Sequence, residues 1–142
     1  MSADLERAKE ILAQTGSTCV LCREDTVYTT KERGVKPLVR WLTEGTDLNG
    51  FSAADRVVGK ATAYLYCLLG VKAVHSLVMS GAAARVLEEN GITATQDKLV
   101  ENIINRQGTG ICPFEEAVWE IHDPGNALTA IRAKMEQMHI SL

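Results

Sequence analysis

Four side chains in this 142-residue sequence are of the kinds that move protons or attack carbon, and stand where local structure does not fully absorb them: Asp55, Lys60, Cys112 and Glu115. Asp55 and Lys60 fall inside SAADRVVGKATAYLYCLLG (52–70), a run otherwise rich in apolar residues, while Cys112 and Glu115 belong to GTGICPFE (108–115). A carboxylate, an amine and a thiol cover acid–base and covalent chemistry between them, provided that the fold brings them to one place.

Each of the four also has a structural reading. Read as one helix, 52–69 opens with Ser-x-x-Asp, a capping box in which Asp55 caps alone or caps and lines a pocket. Lys60 either carries its ammonium along the helix surface to water or, if desolvated, supplies a positive charge or a nucleophilic amine. Pro113 suits the first position of a helix and places Cys112 at its cap, where amides and dipole favour the thiolate while Glu115 and Glu116 oppose it. Cys112 is then either a structural thiol or a reactive one lining a pocket, with Glu115 positioning it or a ligand.

Binding candidates come from SGAAA (80–84), which follows the apolar strand pattern of 72–80 at the point where open α/β sheets take ligands. Ser80 reads as the helix cap. Gly81 and Ala82 leave the first amides accessible to a phosphate or carboxylate, although close helix-on-sheet packing explains small residues equally well. Neither a Walker motif nor a G-x-G-x-x-G fingerprint is present.

The elements that must position these residues follow from periodicity and punctuation. Residues 3–15 read as a helix with Leu5, Ala8, Ile11 and Leu12 on one face. Strands at about 18–23 and 26–30 flank Glu24-Asp25 as a hairpin, and Pro37 starts a short helix ending near Gly45. After the 52–69 helix, the strand 72–80 and the helix 81–90 form a βα unit, and 92–95 begins a further strand parallel to the first. The segment 97–105 fits a helix or a strand. Pro113 begins another helix, and a last one carries Leu128, Ile131, Met135 and Met138. The sum is one α/β domain over 1–142, a three-layer αβα sandwich on a mixed sheet with an N-terminal hairpin.

Composition sets the remaining bounds. A net charge of -3 and a pI near 5.6, with no standout Lys/Arg cluster, argue against nucleic acid as a partner. The charged start and the absence of a long apolar run argue against a membrane and for the cytoplasm, where the four cysteines are free thiols. Cys19 and Cys22 form a C-x-x-C, but three residues apart on a strand they point to opposite faces and read as packing. His75 reads as a satisfied core histidine, His122 as a helix-end cation and His139 as part of a tail.

The order of elements resembles the cytidine deaminase-like fold, and ADRVVGKA (54–61) with NRQGTGICPFE (105–115) looks like a small prokaryotic family placed in that superfamily as a zinc-less branch. The resemblance sets Asp55 at the acid–base glutamate position. It sets Ala53, Gly81 and Ala84 at the three metal-ligand positions, so no zinc-activated hydroxide and no other cofactor is expected. It implies that the helix starts near Ser52–Asp55 and Ser80–Ala83 converge on one small-molecule site, with Lys60 or Arg106 assisting. The expected ligand is a small anionic metabolite, such as a nucleotide or another phosphorylated compound, with metal-independent catalysis conceivable. A non-catalytic binding or assembly module that forms a homo-oligomer through its Met135 and Met138 face is the alternative, and a thiol enzyme using Cys112 is the third.

Overall fold

Residues 52–58 form a strand, and this one assignment organises the sheet. The computed structural model describes residues 3–105 and 107–142. In chain order these form α1 (Ala3–Gln14), β1 (Cys19–Arg23), β2 (Thr26–Thr30), α2 (Lys36–Glu44), β3 (Ser52–Val58), α3 (Lys60–Leu69), β4 (Ala73–Ser80), α4 (Gly81–Glu89), β5 (Thr93–Val100), α5 (Pro113–Ala117) and α6 (Pro124–Gln137). The strand order is β2-β1-β3-β4-β5, with β1 antiparallel to both β2 and β3, and β3, β4 and β5 mutually parallel.

The expected helix over 52–69 is therefore two elements. Its first seven residues are a central strand because their backbone pairs with β1 on one side and β4 on the other. Consecutive alanines serve two faces: Ala53 packs into the larger core and Ala54 into the smaller one beneath α1. Gly59, in extended conformation, separates the strand from α3. No capping box forms at Ser52, since a box needs a helix to cap, and Asp55 lies mid-strand.

The β3-α3-β4 and β4-α4-β5 crossovers proceed across the sheet in one direction, which puts α3 and α4 on the same face. There α2, α3 and α4 share the larger core, while α1 covers the other face with Leu5, Ala8 and Leu12 buried. The three-layer αβα sandwich is thus present, and α6 lies against α3 with Ala127, Ile131 and Met135 buried. That placement explains the all-round apolar character of α3. It also moves Met135 from the anticipated subunit surface into the core, leaving Met138 exposed.

The ambiguous stretch after residue 96 continues as strand to Val100, in register with Ser80, and then leaves the sheet. Beyond it, Ile104 and Ile111 form an isolated antiparallel bridge around a turn. Cys19 and Cys22 are free, buried and in different cores, as their spacing implies.

Gly70 ends α3 at φ 76°, and a Cβ there would sit 2.6 Å from Asn49 Oδ1. Gly91 has φ 74° with open space around it. Gly70→Ala is expected to cost more than about 1 kcal/mol in urea unfolding and clearly more than Gly91→Ala; equal losses would show that the Asn49 contact is immaterial.

Candidate functional site

At the carboxyl ends of β3 and β4, Val58 and Met79 are register partners, so the helices that follow begin side by side. The first amides of α3 have no cap from Gly59. They are met instead by Glu115 of α5, 7% exposed, whose Oε1 accepts from the Lys60 amide and Oε2 from the Ala61 amide, both at 2.9 Å. A Cβ on Gly59 would lie 2.5 Å from that carboxylate, so only glycine admits it. At this helix start the chain supplies its own carboxylate, away from the Ser52–Asp55 segment where the sequence reading expected an anion.

The side chain of Lys60 turns back along the same segment, donating from Nζ to the Trp119 carbonyl at 3.1 Å and lying 5.8 Å from the Tyr64 ring centre. Burial lowers its pKa, with Glu115 opposing and Arg85 reinforcing the shift. Tyr64 donates to the Ile121 carbonyl at 2.9 Å. Lys60 and Glu115 are thus together, each already held by local partners.

The neighbouring α4 is capped as expected, Ser80 Oγ accepting from the Ala83 amide at 3.1 Å. Gly81 and Ala82 form its half-buried first turn, and a Cβ on Gly81 would meet nothing within 4 Å. Close packing therefore does not require glycine at that position. Ser52 begins β3, six residues and ~20 Å from its other end. It lies far from both helix starts, and its buried Oγ has no partner among the described residues.

Asp55 belongs to a different set of contacts. Its Oδ2 accepts from Tyr66 Oη at 2.7 Å, and Oδ1 accepts from the Arg56 amide at 2.8 Å. The Tyr66 oxygen also lies 3.1 Å from Cys19 Sγ, forming a chain of three ionisable groups between sheet and α3. Burial raises the pKa of Asp55 from 3.8 to about 6, against the lowering effect of Tyr66 and the backbone amides. Burial likewise raises Tyr66 and Cys19.

Cys112 caps α5 by position but makes no side-chain cap bond, and a five-residue helix provides little dipole. It lines instead a cleft of ≈ 710 Å³ together with Arg33, Lys36, Asn105, Phe114 and Met138. The cations entered through KERGVKP (31–37), a short charged run before a helix-starting proline whose local density a whole-chain view of charge conceals. Glu32 on the same wall is neutralised by ion pairs to Arg40 and to Lys36, which hold its carboxyl below the usual range. α2 begins at this cleft with no side-chain cap. Arg106 lies outside the described residues.

His75 is satisfied by Thr95 and Asp97, and His122 lies in the link before α6 rather than at a helix end. Among the described residues, no group of three or more His, Cys, Asp or Glu side chains could hold a metal ion, and no helix is long and apolar enough to cross a membrane.

The fold and this arrangement define an α/β domain with a mixed five-stranded sheet, two adjoining helix starts and a separate cleft. The chain belongs to the DUF1893 family, a domain of unknown function whose family model matches residues 7–135. Its structure is similar to the crystal structure of a DUF1893 family protein from Thermotoga maritima, with a TM-score of 0.83 and 25% identity over 96% of this chain and 92% of that one. A dCMP deaminase from the cyanophage S-TIM5 is similar at a TM-score of 0.43 and 11% identity, over 66% of this chain and 94% of that one. A likeness of that size says nothing about activity. No curated protein matches.

Helix α3 begins at Lys60 and not at Ala53–Asp55, because residues 52–58 are strand. Ala53 and Asp55 therefore lie within β3 and not at the helix start where the resemblance set them.

Two outcomes follow from these contacts. Gly59→Ala should destabilise the protein by about 2 kcal/mol or more, since either the Glu115 carboxylate moves or two buried amides lose their acceptor; an unchanged urea midpoint would refute the fit. For Asp55, a raised folded-state pKa means a contribution present below about pH 4 and lost as pH rises through about 6. Asp55→Asn should therefore stabilise the protein at pH 7.5, by up to about 3 kcal/mol, and not at pH 3.5. A gain of equal size at both pH values would remove ionisation as its cause.

Proposed function

We propose that the cleft bordered by Cys112 binds a small anionic metabolite with an apolar or aromatic body, a nucleotide or a related phosphorylated compound. The observation that carries this reading is the joint lining: Arg33, Lys36 and the uncapped start of α2 offer positive potential, while Val35, Ile104, Phe114 and Ile140 offer apolar contact. With Glu32 already paired, the anionic end of a ligand meets no unpaired carboxylate on that wall. Cys112 stands at the edge of the bound ligand, where a thiol contributes contact or, in a catalytic version, a nucleophile.

A specific observation favours the non-catalytic version. Glu115 spends both oxygens on the α3 amides, and Lys60 donates its amine to a carbonyl, so two of the four candidate catalytic groups are committed to holding the α5 segment. A binding or sensing module needs only the cleft.

The reading is tested by thermal shift across a panel of nucleoside phosphates and sugar phosphates, with iodoacetamide labelling of Cys112 as a second readout. A binding compound should raise the melting temperature and slow Cys112 labelling, and Lys36→Glu should abolish both effects. A panel without a hit, or binding indifferent to Lys36→Glu, would overturn the assignment. Consumption of the bound compound, lost in Cys112→Ser, would identify the thiol-dependent version.

A further inference from the structure

The α1 side of the sheet carries a second arrangement that the cleft does not use. His75 on β4 and Thr95 on β5 are register partners, and Asp97 follows two residues along β5, so the pleat brings all three to one face. His75 Nε2 lies 3.2 Å from Asp97 Oδ1, and His75 Nδ1 lies 2.8 Å from Thr95 Oγ1. A carboxylate only accepts, which puts the imidazole proton on Nε2 and leaves Nδ1 to accept from the Thr95 hydroxyl. The chain therefore runs hydroxyl to imidazole to carboxylate, with the base already facing the oxygen it would deprotonate.

His75 and Asp97 line a groove of ≈ 320 Å³ beside Lys9 of α1 and Arg56 of β3, with Leu12 and Leu77 as apolar wall. Arg56 Nε is held by the Ser17 carbonyl at 2.9 Å, and Lys9 lies 3.6 Å from Glu6. The charged groups facing the imidazole are thus Lys9 and Glu6 from α1, Arg56 from β3 and Asp97 from β5. Burial first, and then Lys9, lowers the pKa of His75, against the raising effect of Asp97 and Glu6.

We propose that Thr95, His75 and Asp97 form an acyl-transfer site in which the Thr95 hydroxyl is the nucleophile toward an activated acyl donor with an anionic leaving group. Thr95 Oγ bonds to the acyl carbon as its proton passes to His75 Nδ1. The bond from that carbon to the leaving oxygen breaks with its electron pair, and the imidazolium returns the proton to the departing group. Asp97 holds the imidazole in the required tautomer, and Lys9 and Arg56 offset the negative charge that builds up on donor and leaving group. With acetyl phosphate as donor, the products are O-acetyl-Thr95 and inorganic phosphate.

The experiment incubates the full chain with acetyl phosphate at pH 7.5 and maps acetylated peptides by mass spectrometry over time. Acetyl on Thr95 is the expected result, slowed about tenfold or more in His75→Gln. Urea unfolding of that variant checks that the sheet is intact. Acetylation confined to lysines or to Cys112, or Thr95 acetylation at the same rate in a folded His75→Gln protein, would overturn the proposal. Because Thr95 lies on the α1 side of the sheet and Cys112 packs against the core on the other side, failure of this test leaves the ligand-binding reading untouched, and the reverse also holds.

Discussion

The carboxylate of Glu115 on the first amides of α3 is the contact around which the second half of the chain is arranged. Two buried backbone donors would otherwise lack acceptors, and a charged acceptor satisfies both at once, each such bond worth about 1.5–3 kcal/mol. Meeting that geometry requires a glycine at 59 and a short helix whose third residue points inward. It sets the start of α5, and with it the wall on which Cys112, Pro113 and Phe114 face the cleft. Lys60 and Tyr64 then tie the residues after α5 to the same helix, guiding the chain toward α6.

The same contact divides the chemistry of the molecule. Helix starts at the carboxyl ends of parallel strands attract anions, and here one of two neighbouring starts is taken by an internal carboxylate. On the same face of the sheet, the start of α2 has no side-chain cap and borders the cleft together with Arg33 and the ion-paired Lys36. Asp55 contributes in the opposite sense. Its half-buried carboxyl, tied to Tyr66 and through it to Cys19, has a pKa raised to about 6, so its charged form is less favoured there than in water. A cost of that kind between sheet and helix marks the place where packing alone did not choose the residue.

Most of the architecture was legible because its signals were local. The hairpin at Glu24-Asp25, the glycine stops at 45, 70 and 91, and the βα junction at Ser80 all rest on turn, cap or strand chemistry that a few residues determine. The strand 52–58 was not legible. Alanine favours helices in isolation, and only the pairing of Ala53 and Ala54 with strands from both sides, one before and one after them in sequence, decides otherwise. That single misreading displaced Asp55 and Ser52 from helix cap to strand. Of the candidate residues, Lys60 and Glu115 do meet, across 55 positions, but as an amide and its acceptor rather than an amine and a carboxylate. The cleft was hidden for a related reason: its lining among the described residues comes from 32–36, 104, 105, 107, 112–114, 138 and 140, a set that no local spacing connects.

The burial of α3 on its outer side has a consequence for how the protein is made. Ala61, Tyr64 and Leu65 are enclosed in a core that includes Phe114, Val118, Ala127 and Ile131, all contributed by the last third of the chain. A nascent chain emerging from the ribosome completes every strand by residue 100 while its central helix still shows one greasy side to water. Until α5 and α6 follow, that apolar surface stays open to water, so these two helices govern how safely the earlier elements survive.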